Sequence, residues 1–256
     1  MPLNSLLTIN ELGAISTKFE REALLTDTIG CKVLAGCDEY LSHPAHSCAG
    51  ANIAGTASCS LGKTLMAKSI LCISGSLRSG SYNSHLLDHL AGYLPQMLAR
   101  DFLFPQDVDL PVFNEDVEGD ALIRGKVAQL HGRFAACDAL IVASPEYNGQ
   151  LTAYLKNLID WVSRLAYIDP SFTNPFIDKP LLLCSASTGS SGGMAGITHA
   201  RALFGYVGAL VMGGAICVPY ASEKWSEMGY MFDEPFEGYI AGSVNRLTSL
   251  MSQPSK

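Results

Sequence analysis

The sequence is poor in charge and lacks the basic surface that nucleic-acid-binding proteins need. Only 16% of its 256 residues are charged, and acidic residues outnumber basic ones, so the net charge is −7 at pH 7. Because nucleic acids are bound through basic side chains that neutralise phosphates, this balance argues against a nucleic-acid partner. The 48% of apolar residues predicts one sizeable domain, with or without an appendage.

Paired cysteines are also missing. The eight cysteines are scattered, and no two of them form a Cys-x-x-Cys pair (Cys31, Cys37, Cys48, Cys59, Cys72, Cys137, Cys184, Cys217). In a chain of this length, such spacing predicts reduced thiols and a cytoplasmic protein rather than a disulfide framework. The first residues do not place a basic segment before an apolar one, so we expect no secretory signal.

Long uninterrupted apolar runs are absent as well. One uncharged stretch, residues 202–222, has the length of about 20 residues that a membrane span requires. Four glycines and a proline interrupt it (Gly205, Gly208, Gly213, Gly214, Pro219). Because these residues break long helices, the stretch predicts a helix end, a turn and a buried strand, and no membrane span.

From Met66 onward, strand-like and helix-like segments alternate. The strand patterns cover residues 69–74, 101–104, 139–143, 180–185 and 210–218, and the helix patterns cover 84–94, 121–136, 151–164 and 196–207. Several strand segments are apolar without alternation, which is typical of strands buried on both faces of a parallel sheet. Repeated strand–helix–strand units predict an α/β fold, a three-layer, doubly wound, five-stranded parallel sheet.

Residues 1–65 show no comparable period. We expect an irregular N-terminal extension of low order, or an upstream segment that is not part of the native protein, followed by one domain over residues 66–256. The pattern His43-x-x-His46-x-Cys48 suggests a metal site, but its spacing matches no zinc motif. His85 and His89 lie one helical turn apart, yet no third ligand has a suitable spacing. We therefore assign no metal ligand.

The segment SGSLRSGSYN, residues 74–83, follows an apolar run and precedes a helical pattern. Backbone N–H groups at such a turn, together with the helix N-terminus, bind anions. Ser81 stands where a Walker A loop needs lysine, and the spacing Gly-x-Gly-x-x-Gly of dinucleotide sites is absent. What fits is a terminal monophosphate, such as that of FMN, held by amides, hydroxyls and Arg78. The alternative is an ordinary polar loop.

The segment ASPEYNG, residues 143–149, leaves another buried strand. Pro145 fixes the backbone, and the main chain of Glu146, Tyr147 and Asn148 can then face a planar heterocycle such as an isoalloxazine. Tyr147 adds an aromatic wall. A turn that only connects strand to helix is the alternative. Together with the first segment, this one flanks the point where strand order reverses in a doubly wound sheet.

These segments resemble the NADPH-dependent FMN reductase family, flavodoxin-like flavoproteins that include quinone, chromate and azo-dye reductases. The resemblance covers about residues 67–250 and is carried by GSLRSGSYN (75–83), DLPVFNEDVE (109–118), SPEYNGQLTAYLKNLIDWVSR (144–164) and SASTGSSGG (185–193). It implies a flavodoxin-like fold, FMN as cofactor, NADPH or NADH as electron donor, and a homodimer or homotetramer. The chain departs from the family pattern at two places: Thr152-Ala153-Tyr154 stands where the family often has Pro-Gly before Leu-Lys-Asn, and Thr188 stands where proline is common.

The resemblance also implies which residues bind the cofactor. It assigns Ser76, Arg78, Ser81 and Asn83 to the FMN phosphate. It assigns Pro145, Glu146, Tyr147 and Asn148 to the isoalloxazine. More weakly, it implies that four residues close over the flavin (Ser187, Gly189, Gly192, Gly193).

The leading hypothesis is an FMN-dependent NAD(P)H oxidoreductase that reduces a quinone, free flavin or a similar small acceptor. Two alternatives stay open: an electron-transfer carrier of the flavodoxin type, and a non-flavin binding module on the same fold. The sequence contains no Ser-His-Asp set or nucleophile elbow. Because a flavin carries the redox step while the protein binds and orients it, we assign no catalytic side chain.

Overall fold

The computed structural model describes residues 68–251, and its centre is a parallel sheet. The strands are β1 (Ser69–Ser74), β2 (Ala99–Leu103), β3 (Ala139–Ala143), β4 (Pro180–Ala186), β5 (Leu210–Val211) and β6 (Ile216–Val218). Their order is β2-β1-β3-β4-β5, and β6 also pairs with β4. Every pairing in this sheet is parallel. The predicted flavodoxin-like α/β architecture is thereby confirmed.

Helices cover both faces of the sheet. They are α1 (Tyr82–Ala91), α2 (Ala121–Ala136), α3 (Ala153–Ile168), α4 (Met194–Tyr206), the short α5 (Ala221–Lys224) and α6 (Glu234–Met251). A small hairpin of β7 (Trp225–Ser226) and β8 (Gly229–Tyr230) lies between α5 and α6. Helices α1 and α6 share one apolar cluster with the sheet, whereas α2, α3 and α4 share a second one. This arrangement gives the three predicted layers.

Strand β1 shows why these apolar runs become central strands. Ile70 and Cys72 belong to the cluster on one face of the sheet, and Leu71 and Ile73 belong to the cluster on the other. All four side chains are at most 1% exposed. Because successive residues of a strand point to opposite faces, a strand buried on both faces must be apolar at every position. Full burial of each such side chain contributes roughly 1.5–3 kcal/mol.

Helices α1, α2 and α3 begin at polar side chains that accept hydrogen bonds from their first backbone N–H groups. Ser81 accepts one from Asn83 N at the start of α1, and Thr152 accepts one from Leu155 N at the start of α3. Asp120 does the same for α2. Such caps satisfy N–H groups that have no partner inside the helix. Two of the three caps, Ser81 and Thr152, stand directly after the strands at the centre of the sheet.

Two parts of the structure differ from the sequence prediction. The fifth strand was expected over residues 210–218, but it is divided into β5 and β6, with Gly213 and Gly214 between them. Helix α6 was not predicted at all. The expectations for residues 1–65, including the His43-x-x-His46-x-Cys48 pattern, lie outside the described residues. None of the helices within residues 68–251 is long and apolar enough to cross a membrane.

Candidate functional site

The strand order reverses between β1 and β3, and the loops that leave β1, β3 and β4 meet at this edge of the sheet. Ligands of doubly wound proteins bind at the carboxyl ends of the strands near such a point. Here the three loops line a cleft of about 130 Å³. The cleft brings together eight of the twelve predicted cofactor-binding residues (Ser76, Arg78, Ser81, Asn83, Pro145, Glu146, Tyr147, Ser187).

A second cleft, of about 340 Å³, adjoins the first and shares Ser76 and Arg78 with it. Its remaining walls are the rest of the β1–α1 loop and the segment Phe104, Pro105 and Gln106 that follows β2. Among the described residues that line either cleft, Arg78 is the one cationic side chain. The two clefts therefore flank a single positive charge at the reversal point of the sheet.

The first loop, residues 75–81, presents many hydrogen-bond donors to these clefts. Ser76 and Ser81 are only 3% exposed, and both residues line the cleft. Within residues 68–251, the backbone N–H groups of Leu77, Ser79 and Gly80 donate to no protein acceptor. The exposed Arg78 side chain forms no ion pair in the same part of the chain. Unpaired donors of this kind beside a helix N-terminus are the groups that bind anions.

Asn83 lies in the cleft wall but also has a structural role. Its Nδ2 donates to the carbonyl of Ala186 at 2.9 Å, and the backbone N–H of Ala186 donates to its Oδ1 at 2.9 Å. An asparagine amide carries two N–H donors, so one of them stays available to a ligand. The side chain is 2% exposed. It therefore joins the start of α1 to the end of β4, where the third loop begins.

The second loop, residues 144–152, contains a tight turn. Tyr147 and Gln150 exchange two backbone hydrogen bonds of 3.0 Å, and the residues between them, Asn148 and Gly149, have φ values of 53° and 74°. Positive φ at both central positions is the signature of a type I′ turn, which Asn-Gly favours. The backbone N–H of Tyr147 is used in a hydrogen bond of the turn and is not available to a ligand. Asn148 lies in the turn and does not line the cleft. The N–H of Glu146 donates to no acceptor within residues 68–251 and is therefore available to a ligand.

The side chain of Glu146 joins the second loop to helix α4. Its Oε2 accepts a hydrogen bond of 3.0 Å from the backbone N–H of Gly196, in the first turn of that helix. A carboxylate at a helix N-terminus is favourable, because it satisfies an unpaired N–H and meets the positive end of the helix dipole. The approach is close: a Cβ on Gly196 would lie 3.2 Å from the Cβ of Glu146.

The third loop, residues 187–193, contributes less to the cleft than the resemblance implies. Ser187 lines it, whereas Gly189, Gly192 and Gly193 do not. Gly192 and Gly193 have φ values of 61° and 85°. A Cβ on Gly193 would lie 1.9 Å from Ser185 Oγ, and one on Gly192 would meet the backbone of residues 217–219. Close packing against protein, as well as backbone conformation, therefore explains these two glycines.

Several lining residues were missed by the sequence analysis, namely Tyr82, Ala186 and Thr188. Tyr82 is the first residue of α1 and directly follows the cap Ser81, so its position was the available signal.

The segment 109–118 lines neither of the two clefts. It is anchored on α3, where the side chains of Asn157 and Trp161 both donate to the carbonyl of Pro111, at 2.9 Å and 2.8 Å.

The two histidines of α1 make contacts within the protein. His85 stacks on Trp225 with ring centroids 3.7 Å apart, and His89 lies 3.2 Å from the carboxylate of Glu237. No group of three metal-ligating side chains was found among residues 68–251. Both histidines therefore support the packing of α1 against the hairpin and α6.

The donor set of the clefts fits FMN. Hydroxyls, free amides and one guanidinium in the first loop suit a phosphate dianion, because charge-assisted hydrogen bonds are the strongest that these groups form. The second loop offers the unpaired N–H of Glu146 and the half-exposed ring of Tyr147 beside it. A flavin ring has a polar edge that can accept a hydrogen bond from such an N–H, and flat faces that can pack against an aromatic side chain.

Comparison with known proteins supports the same interpretation. Residues 69–223 match the family model of the NADPH-dependent FMN reductases. Over 133 residues the chain is 38% identical to the NAD(P)H-dependent FMN reductase of Pseudomonas aeruginosa, a match that spans 52% of this chain and 66% of that protein. Over 143 residues it is 31% identical to the quinone reductase of Escherichia coli K12, spanning 56% of this chain and 72% of that protein.

A solved structure shows the same architecture. The flavoenzyme NAD(P)H:(acceptor) oxidoreductase FerB of Paracoccus denitrificans superposes with a TM-score of 0.61 at 26% identity, covering 72% of this chain and 97% of that one. The family match contains the first two loops, the third loop and every strand from β1 to β6. The chain thus belongs to the NADPH-dependent FMN reductase family, flavin-dependent oxidoreductases whose cofactor is FMN and whose electron donor is NAD(P)H.

Proposed function

We propose that this protein oxidises NAD(P)H with bound FMN and reduces a quinone or a similar small acceptor. The observation that carries the proposal is the convergence of three strand-end loops, with unpaired donors and a single unpaired cation, on one cleft. The name of the E. coli relative, quinone reductase, supports a quinone as the acceptor class. A homo-oligomer and a cytoplasmic location stay predictions.

The first loop would hold the FMN phosphate. Ser76 and Ser81 supply hydroxyl donors, and the helix that Ser81 caps supplies the positive end of its dipole. Arg78 supplies the one full positive charge, which is free to turn toward an anion because it is exposed and unpaired among the described residues. Asn83 holds this loop against β4 and offers its remaining amide N–H.

The second loop would orient the flavin ring. The backbone N–H of Glu146 has no protein acceptor, and the turn at Tyr147–Gln150 fixes the main chain around it. Tyr147 is 49% exposed and stands at the open side of the cleft, where an acceptor would enter. When bound, FMN supplies the redox chemistry by taking up hydride from the nicotinamide and giving electrons to the acceptor. The side chains of the cleft bind and orient it.

An absorbance experiment tests the proposal. The full chain, reconstituted with FMN and freed of excess cofactor, should show a flavin spectrum. Under anaerobic conditions, addition of NADPH or NADH should bleach that spectrum, and a subsequent addition of benzoquinone should restore it. Riboflavin, which lacks the phosphate, serves as the matched control and should be retained far less.

The remaining outcomes distinguish the other classes of function. Bound flavin that neither nicotinamide bleaches would indicate an electron-transfer carrier of the flavodoxin type. A protein from which FMN is completely removed by dialysis, and which nonetheless reduces added free FMN, would make FMN a substrate. A protein with neither property would be a non-flavin module.

A further inference from the structure

We propose that Thr152 is a positioning residue for the phosphate end of the FMN site, although it lies in the loop assigned to the flavin ring. The inference rests on the proposed function. Thr152 is 3% exposed and lines neither cleft, so it does not touch a ligand there. It acts through the backbone of Gly75, the first residue of the first loop.

The bond that carries this role joins two loops that are distant in sequence. Thr152 Oγ1 donates to the carbonyl of Gly75 at 2.7 Å, and the two residues are 77 positions apart. The carbonyl of Gly75 and the N–H of Ser76 belong to one planar peptide unit. Fixing the carbonyl therefore fixes the direction of the Ser76 N–H, which donates to Ser74 Oγ at 3.4 Å. The start of the donor-rich loop is held in the same way.

The preceding peptide unit, which joins Ser74 to Gly75, is held by the end of β3. The N–H of Gly75 donates to the carbonyl of Ala143 at 2.8 Å. A Cβ on Gly75 would lie 2.9 Å from Ser144 Oγ, so the two loops touch at this residue. Both hydrogen-bonding groups of Gly75 are thus held by the end of β3 and the loop that follows it, and among the described residues Thr152 is the one side chain that hydrogen-bonds to Gly75.

Thr152 also caps α3, and the two roles use different properties of its hydroxyl. As a cap it accepts from Leu155 N at 3.2 Å, whereas toward Gly75 it donates its proton. Loss of the cap alone should lower stability, while loss of the bond to Gly75 should also disturb phosphate binding.

Valine in place of Thr152 keeps the shape of the side chain and removes the hydroxyl. The dissociation constants of FMN and riboflavin are measured by flavin fluorescence for the full chain and for Thr152→Val. We expect FMN affinity to fall by about tenfold, the effect of one lost hydrogen bond. Riboflavin affinity should fall by less than twofold, because riboflavin has no phosphate for the first loop to hold.

Two further variants control the experiment. Thr152→Ser keeps the hydroxyl and should bind FMN within threefold of the wild type. Asp120→Ala removes the cap of α2. The Asp120 side chain accepts hydrogen bonds from Leu122 N and Ile123 N, and Asp120 lines neither cleft. It should lower the melting temperature without changing the ratio of the two dissociation constants. If Thr152→Val does not fold, Thr152→Ala leaves the same carbonyl unpartnered and is measured instead.

Unchanged FMN affinity in Thr152→Val would overturn the inference, and so would an equal loss of FMN and riboflavin affinity. Either result leaves the proposed function in place, because the wild type would still bind FMN and be reduced by NAD(P)H. A wild type that binds no FMN would instead overturn the proposed function, and this inference with it.

Discussion

Arg78 is the residue on which phosphate binding should depend most. It is the single cation among the residues that line the clefts, and no carboxylate within residues 68–251 forms an ion pair with it. Because the guanidinium makes no hydrogen bond or ion pair with the described residues that a mutation would break, its loss should change binding and leave folding intact. Arginine is also well suited to a phosphate, since its planar fork donates two parallel hydrogen bonds.

Arg78→Ala should weaken FMN binding by about tenfold to a hundredfold, since a hydrogen bond to a charged group contributes roughly 1.5–3 kcal/mol. Fluorescence titration with FMN measures the change, and the melting temperature of the apoprotein should stay constant. Arg124→Ala is the matched control, because Arg124 pairs with Asp169 at 2.9 Å and lines neither cleft. Equal FMN affinities in the wild type and Arg78→Ala would place the phosphate elsewhere.

At the scale of single residues, the sequence predicts which groups face the cleft better than it predicts what those groups contact. The types in SGSLRSGSYN and SPEYN follow from local chemistry, so eight of the predicted residues do line the cleft. The bond from Asn83 to Ala186 spans 103 positions, and the one from Glu146 to Gly196 spans 50. Such contacts depend on which strands become neighbours, which no local pattern specifies.

At the scale of elements, the boundaries predicted best are those of two buried strands and of one capped helix. The predicted segments 69–74, 139–143 and 121–136 agree with β1, β3 and α2. Helix α6 was missed because Gly238 and Gly242 weaken its propensity. A signal was present: four apolar side chains at helical spacing are buried against the sheet (Ile240, Val244, Leu247, Met251).

Buried thiols in the central strands predict that the stability of the fold depends on pH. Cys72 in β1 and Cys184 in β4 are at most 1% exposed. Burial raises the pKa of the Cys72 thiol from its ordinary value of 9.0 to about 12, and it raises the pKa of Cys184 as well. Above pH 9 the unfolded chain releases these protons while the folded chain keeps them. The free energy of unfolding therefore falls as the pH rises from 9 toward 12.

Each fully buried thiol should remove about 1.4 kcal/mol of stability per pH unit in that window. Denaturant unfolding at pH 8 and pH 10 measures the fall for the wild type and for Cys184→Ala, which should show a smaller one. Leu182→Ala is the matched control, since Leu182 lies in the same strand and the same apolar cluster but does not titrate. A fall of the same size in Cys184→Ala and the wild type would contradict the prediction.

At the scale of the whole molecule, the domain boundary near residue 66 stays a prediction. The two large apolar clusters and the two clefts described above lie within residues 68–251. The family match begins at residue 69, one position after the described part begins. We therefore propose residues 66–256 as an autonomous domain, as the alternation of strand and helix patterns from Met66 predicts.

A variant that begins at Met66 should bind FMN within threefold of the full chain and melt within a few degrees of it. Fluorescence titration and thermal unfolding give both values. The matched control begins at Cys72 and so removes Ser69, Ile70 and Leu71 from β1. Because β1 lies between β2 and β3 and pairs with both, that shorter chain should not fold. Insolubility of the variant that starts at Met66, or loss of its FMN binding, would show that residues before Met66 complete the core or the site.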